Sequence, residues 1–213
     1  MENMVMDFAF YKGKKVFVTG HTGFKGMWLC KMLEMAGAEV TGYSLLSPTK
    51  EGGKVFRQSG LEAGMYSVIG DIRDLAALQK AFLAAQPEIV LQPAAQPIVI
   101  ESYRDPVGTY STNVMGTVNL LECVRNSTTV KSFLNITTDK VYKNNEWVWG
   151  YRENEPLDGF DPYSNSKSCS ELVTHSYKNS FFADGQVAIS TARAGNVIGG
   201  GDFSVNRILS DSI

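Results

Sequence analysis

Val18-Thr19-Gly20-His21-Thr22-Gly23-Phe24-Lys25-Gly26 carries three glycines at a spacing of three. The apolar run before it, residues 15–19, predicts a short buried strand. After it, apolar residues at Phe24, Met27, Trp28, Met32, Leu33 and Met35 predict a helix over residues 23–36, which Gly37 stops. A strand that turns through such glycines into a helix makes a phosphate site. Gly20 allows a sharp turn off the strand. Gly23 lets the backbone approach a pyrophosphate, and Gly26 lets the helix pack closely on the strand. The helix N-terminus adds unpaired N–H groups and partial positive charge. Glycine turns of this spacing also occur with no ligand, so the rest of the chain decides.

Strands alternate with helices onward from this turn. Further strands are predicted at residues 38–44, 66–69, 88–92, 130–137 and 187–192, with helices at 74–85, 111–125 and 162–182. Asp74 can cap the first of these helices, and Gln86-Pro87 ends it. Residues 47–60 read as a polar connection with one helical turn, 93–105 as an irregular loop, and 143–159 as a turn-rich excursion. Crossovers of this length predict a parallel sheet covered on both faces, an α/β fold. Trp28, Phe133 and Phe181 read as core residues.

The chain has 213 residues, 44% hydrophobic and 20% charged, which suits a packed domain. A net charge of −2 supplies no basic field for nucleic acid or an anionic membrane. No stretch has the length of a membrane span, and residues 1–11 lack the apolar run of a signal peptide. Cytoplasm is the expected compartment. Cys30, Cys123 and Cys169 are scattered and odd in number, which predicts reduced thiols. His21 and His175 stand too far apart in sequence to suggest a metal centre.

Tyr163 and Lys167 stand four residues apart on the last predicted helix, so they share a face. A phenol has an ordinary pKa near 10, and a neighbouring ammonium lowers it by favouring phenolate. Such a pair can take a proton from an alcohol. A surface Tyr/Lys pair is the commoner source of this spacing. The upstream glycine turn and Pro162 at the helix start favour chemistry. Thr137-Thr138-Asp139-Lys140 ends the fifth strand, at the sheet edge where ligands bind in such folds. Asp71 and the Ile72 N–H follow the third strand and could meet an adenine. Ala94-Ala95-Gln96 ends the fourth strand, where small residues let backbone pass near a ribose.

These stretches, with Ala192-Arg193-Ala194-Gly195-Asn196 downstream, resemble the extended short-chain dehydrogenase/reductase superfamily. Within it the chain is similar to the sugar-nucleotide 4,6-dehydratases of the CDP-glucose branch. Thr138-Asp139-Lys140 carries Lys where the dTDP-glucose branch has Glu, and His21 with Phe24-Lys25 points the same way. The resemblance implies a Rossmann-type doubly wound parallel sheet and NAD as cofactor. The cofactor-binding residues it implies are Gly20, Thr22, Gly23, Phe24, Lys25, Gly26, Asp71, Ile72, Ala94, Ala95, Gln96, Tyr163 and Lys167. It further implies catalysis by Thr138, Asp139, Lys140, Tyr163 and Lys167, with Thr138 and Asn196 on the substrate, CDP-glucose. No metal is implied, and a homo-oligomer, dimer or tetramer, is. Residues 1–200 are expected to form the NAD-binding domain and 201–213 the start of a substrate-binding lobe, since members of the family are longer. The alternative is a catalytically incomplete NAD-binding module that acts as a partner or sensor. An epimerase or reductase of the same superfamily is disfavoured, since it has no need of an Asp-Lys pair beside the tyrosine. Two departures stand out. Leu46 follows the second strand where an acid is expected, and Gln92-Pro93 replaces a His-Leu pair.

Overall fold

Six strands, β1 (Lys15–Thr19), β2 (Glu39–Ser44), β3 (Tyr66–Ile69), β4 (Ile89–Gln92), β5 (Ser132–Ile136) and β6 (Ala188–Ala192), pair in one parallel sheet. The structure, a computed structural model, describes residues 8–47, 49–204 and 212. The strand order is β3-β2-β1-β4-β5-β6. Its direction of winding reverses between β1 and β4, and in such sheets ligands lie in the crevice outside the carboxyl ends at that point. Val18 pairs with Gly42 on one side and Leu91 on the other.

Alternation along the central strands sends side chains to two cores. Phe17 and Val90 face one, with Leu78, Phe82, Leu120 and Phe133. Val16, Val18, Ile89 and Leu91 face the other, with Met27, Cys30 and Leu33. Helices α1 (Phe24–Met35), α2 (Lys50–Gln58) and α3 (Leu61–Gly64) supply the second core. The first is closed by α4 (Leu75–Ala85), by α7 (Gly116–Arg125) and by α8 (Pro162–Phe181), which packs on α7 and β6. Each large side chain buried in this way contributes roughly 1.5–3 kcal/mol. Cover is incomplete at one edge. Ala188, Ser190 and Ala192 of β6 are exposed among the described residues, so the expected double cover stops short there.

Three elements differ from the sequence reading. The connection at 47–60 holds the full helix α2 rather than one turn, and α3 follows directly after it. Two glycines make α2 weak by propensity, but Phe56 and Leu61 are buried in the second core and hold it. Thr49 caps it, accepting from the Gly52 N–H at 3.0 Å. The loop at 93–105 contains α5 (Val99–Arg104) and leads into α6 (Pro106–Tyr110). Asp105 accepts from the Gly108 N–H at 2.8 Å with Pro106 at the first turn, a start signal legible in the sequence and missed. The helix expected at 111–125 therefore begins earlier, and runs through a π-helical turn at Ser111–Met115. Trp28 and Phe181 are not core residues. They are 50% and 51% exposed, and Arg125 stacks over the Phe181 ring.

Candidate active site

The glycine turn sits between β1 and α1 at the carboxyl edge, and each glycine has its own reason. Gly20 holds φ at +70°, and a Cβ there would lie 2.9 Å from the Ala94 Cα. A Cβ on Gly26 would run into the Gly20 carbonyl, so α1 reaches the turn only without one. At Gly23 a Cβ would meet only the Gly20 oxygen, at 3.4 Å, an ordinary contact. Gly23 thus faces open space, and the fold itself does not require the missing side chain.

That space is a cavity of about 570 Å³, within the range of small-molecule sites. Gly20, Thr22, Gly23, Phe24, Lys25 and Gly26 line one wall. Asp71, Ile72, Ala94, Ala95 and Gln96 line a second, and Tyr163 and Lys167 a third. The cofactor-binding residues implied by the sequence thus converge from separate stretches on one cavity. Thr137, Asp202, Phe203 and Ser204 join them, so residues beyond 200 share this cavity. The rest of the expected lobe start, 205–211 and 213, lies outside the described residues.

Some of these side chains are committed to the protein. The Thr22 hydroxyl donates to the Leu45 carbonyl at 2.7 Å and pairs with Ser44. It ties the turn to the end of β2. Gln96 is spent on its own loop: its Nε2 donates to Thr109, and its Oε1 accepts from the Ile98 N–H at 2.6 Å. Asp71 is paired with Arg73 at 2.6 Å, which holds its carboxyl below the usual range. Asp74 takes the helix cap on α4, accepting from the Ala77 N–H at 3.0 Å. His21 lies beneath the turn, fully buried, with Nε2 2.7 Å from the Ser67 hydroxyl. Burial pushes its imidazole down to about 4, against an opposing backbone hydrogen bond at Tyr43. A side chain on Gly42 would strike the His21 ring, which explains a glycine in mid-strand.

Tyr163 and Lys167 lie on the first turns of α8, which Asp161 fixes by accepting from the Ser164 N–H at 2.9 Å. Lys167 is buried, and its Nζ donates to the Ile136 carbonyl at 3.0 Å. Burial pushes its ammonium down to about 8. The charge of Lys25 adds to this, and that of Glu171 opposes it. A buried lysine one turn from a tyrosine in a cavity is not a solvated surface pair.

The other expected residues are not gathered into the cavity wall. Thr138 caps a 3-10 turn, Asp139–Val141, and its hydroxyl donates to Asp139 at 3.1 Å. Asp139 and Lys140 are exposed, as is Asn196. The Asp139 N–H bonds the Ala194 carbonyl at 3.0 Å, which draws the triplet towards the segment that carries Asn196.

Sequence reasoning missed two supports. Asn113, in the π-helical turn, accepts from the Gln96 N–H and donates to the Gln96 carbonyl and to Ser166. Glu171 lies one helical turn past Lys167 and binds Arg193 and Thr137, with Arg193 Nε at 2.8 Å. The continued spacing of four, Tyr163-Lys167-Glu171, was the available signal. Among the described residues no group of His, Cys, Asp and Glu could hold a metal ion. No helix among them is long and apolar enough to cross a membrane.

The class follows from the sheet order and the place of the glycine turn in it: a Rossmann-type dinucleotide-binding domain. Within that class the chain belongs to the GDP-mannose 4,6 dehydratase family, whose profile matches residues 17–200. A CDP-glucose 4,6-dehydratase from Salmonella typhimurium is 52% identical over 97% of the chain. A dTDP-glucose 4,6-dehydratase from Bacillus anthracis, solved with NAD, superposes with a TM-score of 0.71 at 25% identity over 87% of the chain. A UDP-glucose 4-epimerase from Brucella ovis, also solved with NAD, gives 0.72 at 25% over 86%. The chain spans 58% of the Salmonella enzyme, 56% of the Bacillus chain and 52% of the Brucella chain.

Gly23→Val is expected to fold normally and to lose dinucleotide binding. The Cβ fits the protein and fills the space beside the helix N-terminus where a pyrophosphate would lie. Isothermal titration with NAD, beside a thermal melt, checks both halves. Undiminished binding would make the turn merely structural.

Proposed function

We propose that the chain supplies the NAD-binding and catalytic part of a CDP-glucose 4,6-dehydratase, a lyase. The observation that carries the reading is the Tyr163/Lys167 pair, with a buried lysine, set across one cavity from a turn whose central glycine faces open space. The 52% identity to the Salmonella enzyme and the Thr138-Asp139-Lys140 triplet support CDP-glucose over other sugar nucleotides. The cavity fits NAD. Its glycine wall would hold the pyrophosphate, Asp71 and Ile72 the adenine edge, Ala94 and Ala95 a ribose, and Lys167 the nicotinamide ribose.

Bound NAD would accept hydride from sugar C4 and later return it to C6, so no net oxidation results. Tyr163 takes the 4-hydroxyl proton as general base, and the Lys167 ammonium favours its phenolate. Thr138 hydrogen-bonds the 4-oxygen. The ketone at C4 acidifies the C5 proton, which Lys140 removes. Asp139 protonates the 6-hydroxyl as it leaves as water. A proton returned to C5 completes CDP-4-keto-6-deoxy-glucose. Asn196 lies towards the substrate phosphates. The exposure of Asp139, Lys140 and Asn196 is that of groups that meet a substrate on the outer side of the cavity. The same reading carries a homo-oligomer working in the cytoplasm.

The test is a side-by-side assay of CDP-glucose and dTDP-glucose with the protein at its relatives' full length. Preference for CDP-glucose by at least about tenfold in kcat/KM, roughly 1.4 kcal/mol, is expected. A preference for dTDP-glucose would rule the assignment out.

A further inference from the structure

Arg193 follows β6, and the pairing of β5 with β6 continues on both sides of it. The Thr137 N–H donates to the Ala192 carbonyl at 2.8 Å, and the Asp139 N–H to the Ala194 carbonyl at 3.0 Å. Arg193 thus sits in the backbone ladder that carries the Thr138-Asp139-Lys140 triplet. Its side chain is only 16% exposed. Neither Arg193 nor Glu171 lines the cavity, so neither is a catalytic residue.

Three separate parts of the chain meet on this guanidinium. The Glu171 carboxylate on α8, 3% exposed, accepts from Nε at 2.8 Å and also from Nη2. The Tyr142 ring stacks under the guanidinium, with its centroid 4.7 Å from Cζ. The turn-rich excursion is the third part, and Nη1 donates to the Glu153 carbonyl there at 2.9 Å. The same excursion folds back on the chain just after the triplet. The Lys143 N–H donates to the Pro156 carbonyl at 2.8 Å, and the Asp158 N–H to the Val141 carbonyl at 3.0 Å. Glu171 in turn accepts from the Thr137 hydroxyl. The ion pair therefore joins α8, which carries Tyr163 and Lys167, to both ends of the 3-10 turn, Thr137 before it and Tyr142 after it. Asp139 and Lys140 are themselves exposed, so packing of their own side chains does not fix that turn.

We propose that Arg193, paired with Glu171, is a positioning residue for water elimination: it holds the Asp139/Lys140 turn where a sugar seated against Tyr163 can also meet the turn. The proposal rests on the reading of the site as that of a CDP-glucose 4,6-dehydratase, with elimination assigned to Asp139 and Lys140. The two halves of that reaction make different demands. Oxidation at C4 relies on groups of α8 and on the bound cofactor. Elimination needs groups of the turn to reach C5 and the 6-hydroxyl of the same sugar, and a displacement of about 1 Å can cost about 10²-fold. A clamp between α8 and the turn therefore acts on the second half. Lysine in place of Arg193 keeps a positive charge beside Glu171, so the buried carboxylate is not left without a partner. It loses the planar fork that grips the carboxylate with two nitrogens and lies flat on Tyr142.

The experiment is a single turnover of CDP-glucose by Arg193→Lys in the protein at its relatives' full length. Reduced nicotinamide and product are followed together, beside a thermal melt and a titration with NAD. NAD affinity should stay within about twofold and the rate of C4 oxidation within about threefold, while elimination slows by about tenfold or more. Reduced cofactor should then accumulate, which a general loosening of the fold would not produce. Tyr142→Leu removes the stack and leaves the Glu171 pair, and should show the same pattern more weakly. If Arg193→Lys does not fold, Tyr142→Leu decides. Normal elimination, or an equal loss in both halves by a folded variant, would overturn the positioning role and leave the functional reading standing. An unaltered protein that makes no product from CDP-glucose would overturn that reading, and the positioning role with it.

Discussion

Tyr163→Phe is expected to slow oxidation at sugar C4 by about 10²–10⁴-fold, the usual worth of a positioned general base. Dinucleotide affinity should hardly change. The substitution keeps the ring that lines the cavity and removes only the hydroxyl. The helix start is also untouched, since Asp161 and Ser164 fix it through their own bonds. Lys140→Ala should behave in the opposite way. Lys140 is exposed on the turn after β5, outside the cavity wall, and its proposed task is the C5 proton. C4 oxidation should survive and water elimination should stop, so the reduced cofactor should accumulate in a single turnover. The comparison uses CDP-glucose and the protein at its relatives' full length, with cofactor absorbance and product followed together. Normal elimination by the Lys140→Ala protein would remove Lys140 from the mechanism. Unimpaired oxidation by the Tyr163→Phe protein would remove the tyrosine and, with it, the reading of the site.

The parts of this site that were legible in the sequence are those whose reasons are local. Gly20, Gly23 and Gly26 are demanded by one turn, and Tyr163 and Lys167 by one helical repeat. A parallel sheet followed from alternating patterns, because β1 and β4 carry unbroken apolar runs at 16–18 and 89–91 and crossovers force their neighbours to be parallel. What stayed hidden depends on partners distant in sequence. Asn113 holds the Gln96 loop across 17 residues and reaches Ser166 across 53. Arg193 reaches Glu171 across 22. The repeat of four marks Glu171 on its helix, but no periodicity announces its partner Arg193 or the contacts of Asn113. The α2 helix was hidden for a different reason: Gly52 and Gly53 argue against it, and only the burial of Phe56 and Leu61 overrides them. The burial of Lys167 was equally out of reach, since a lysine four residues from a tyrosine reads the same on a wet face as on a dry one.

That burial leads to the second large effect: Lys167→Met is expected to stabilise the fold while removing activity. Burial, the largest cause, brings the ammonium from its ordinary 10.5 to about 8, with Lys25 adding and Glu171 opposing. At neutral pH the group is charged in both folded and unfolded chains, so the whole penalty for burying the charge is present. A shift of this size corresponds to about 3 kcal/mol. Methionine has no charge to bury and is mobile enough to fill the same channel. It gives up the hydrogen bond to the Ile136 carbonyl, worth about 1 kcal/mol and more where the carbonyl is left dry. A net gain on the order of 1–2 kcal/mol at pH 7 remains. The pH dependence has a definite sign. Between about 8 and 10.5 the unfolded chain binds more protons than the folded one, so the unaltered protein gains stability as pH rises through that window. The advantage of Lys167→Met should therefore be full below about 8 and fade towards 10.5. Urea unfolding of both proteins across this range measures it. C4 oxidation should fall with the loss of the ammonium that favours phenolate on Tyr163. A Lys167→Met protein that is less stable at neutral pH would mean that the charge is compensated where it lies. Lys167 would then be a structural residue, and its proposed role beside Tyr163 would lose its physical basis.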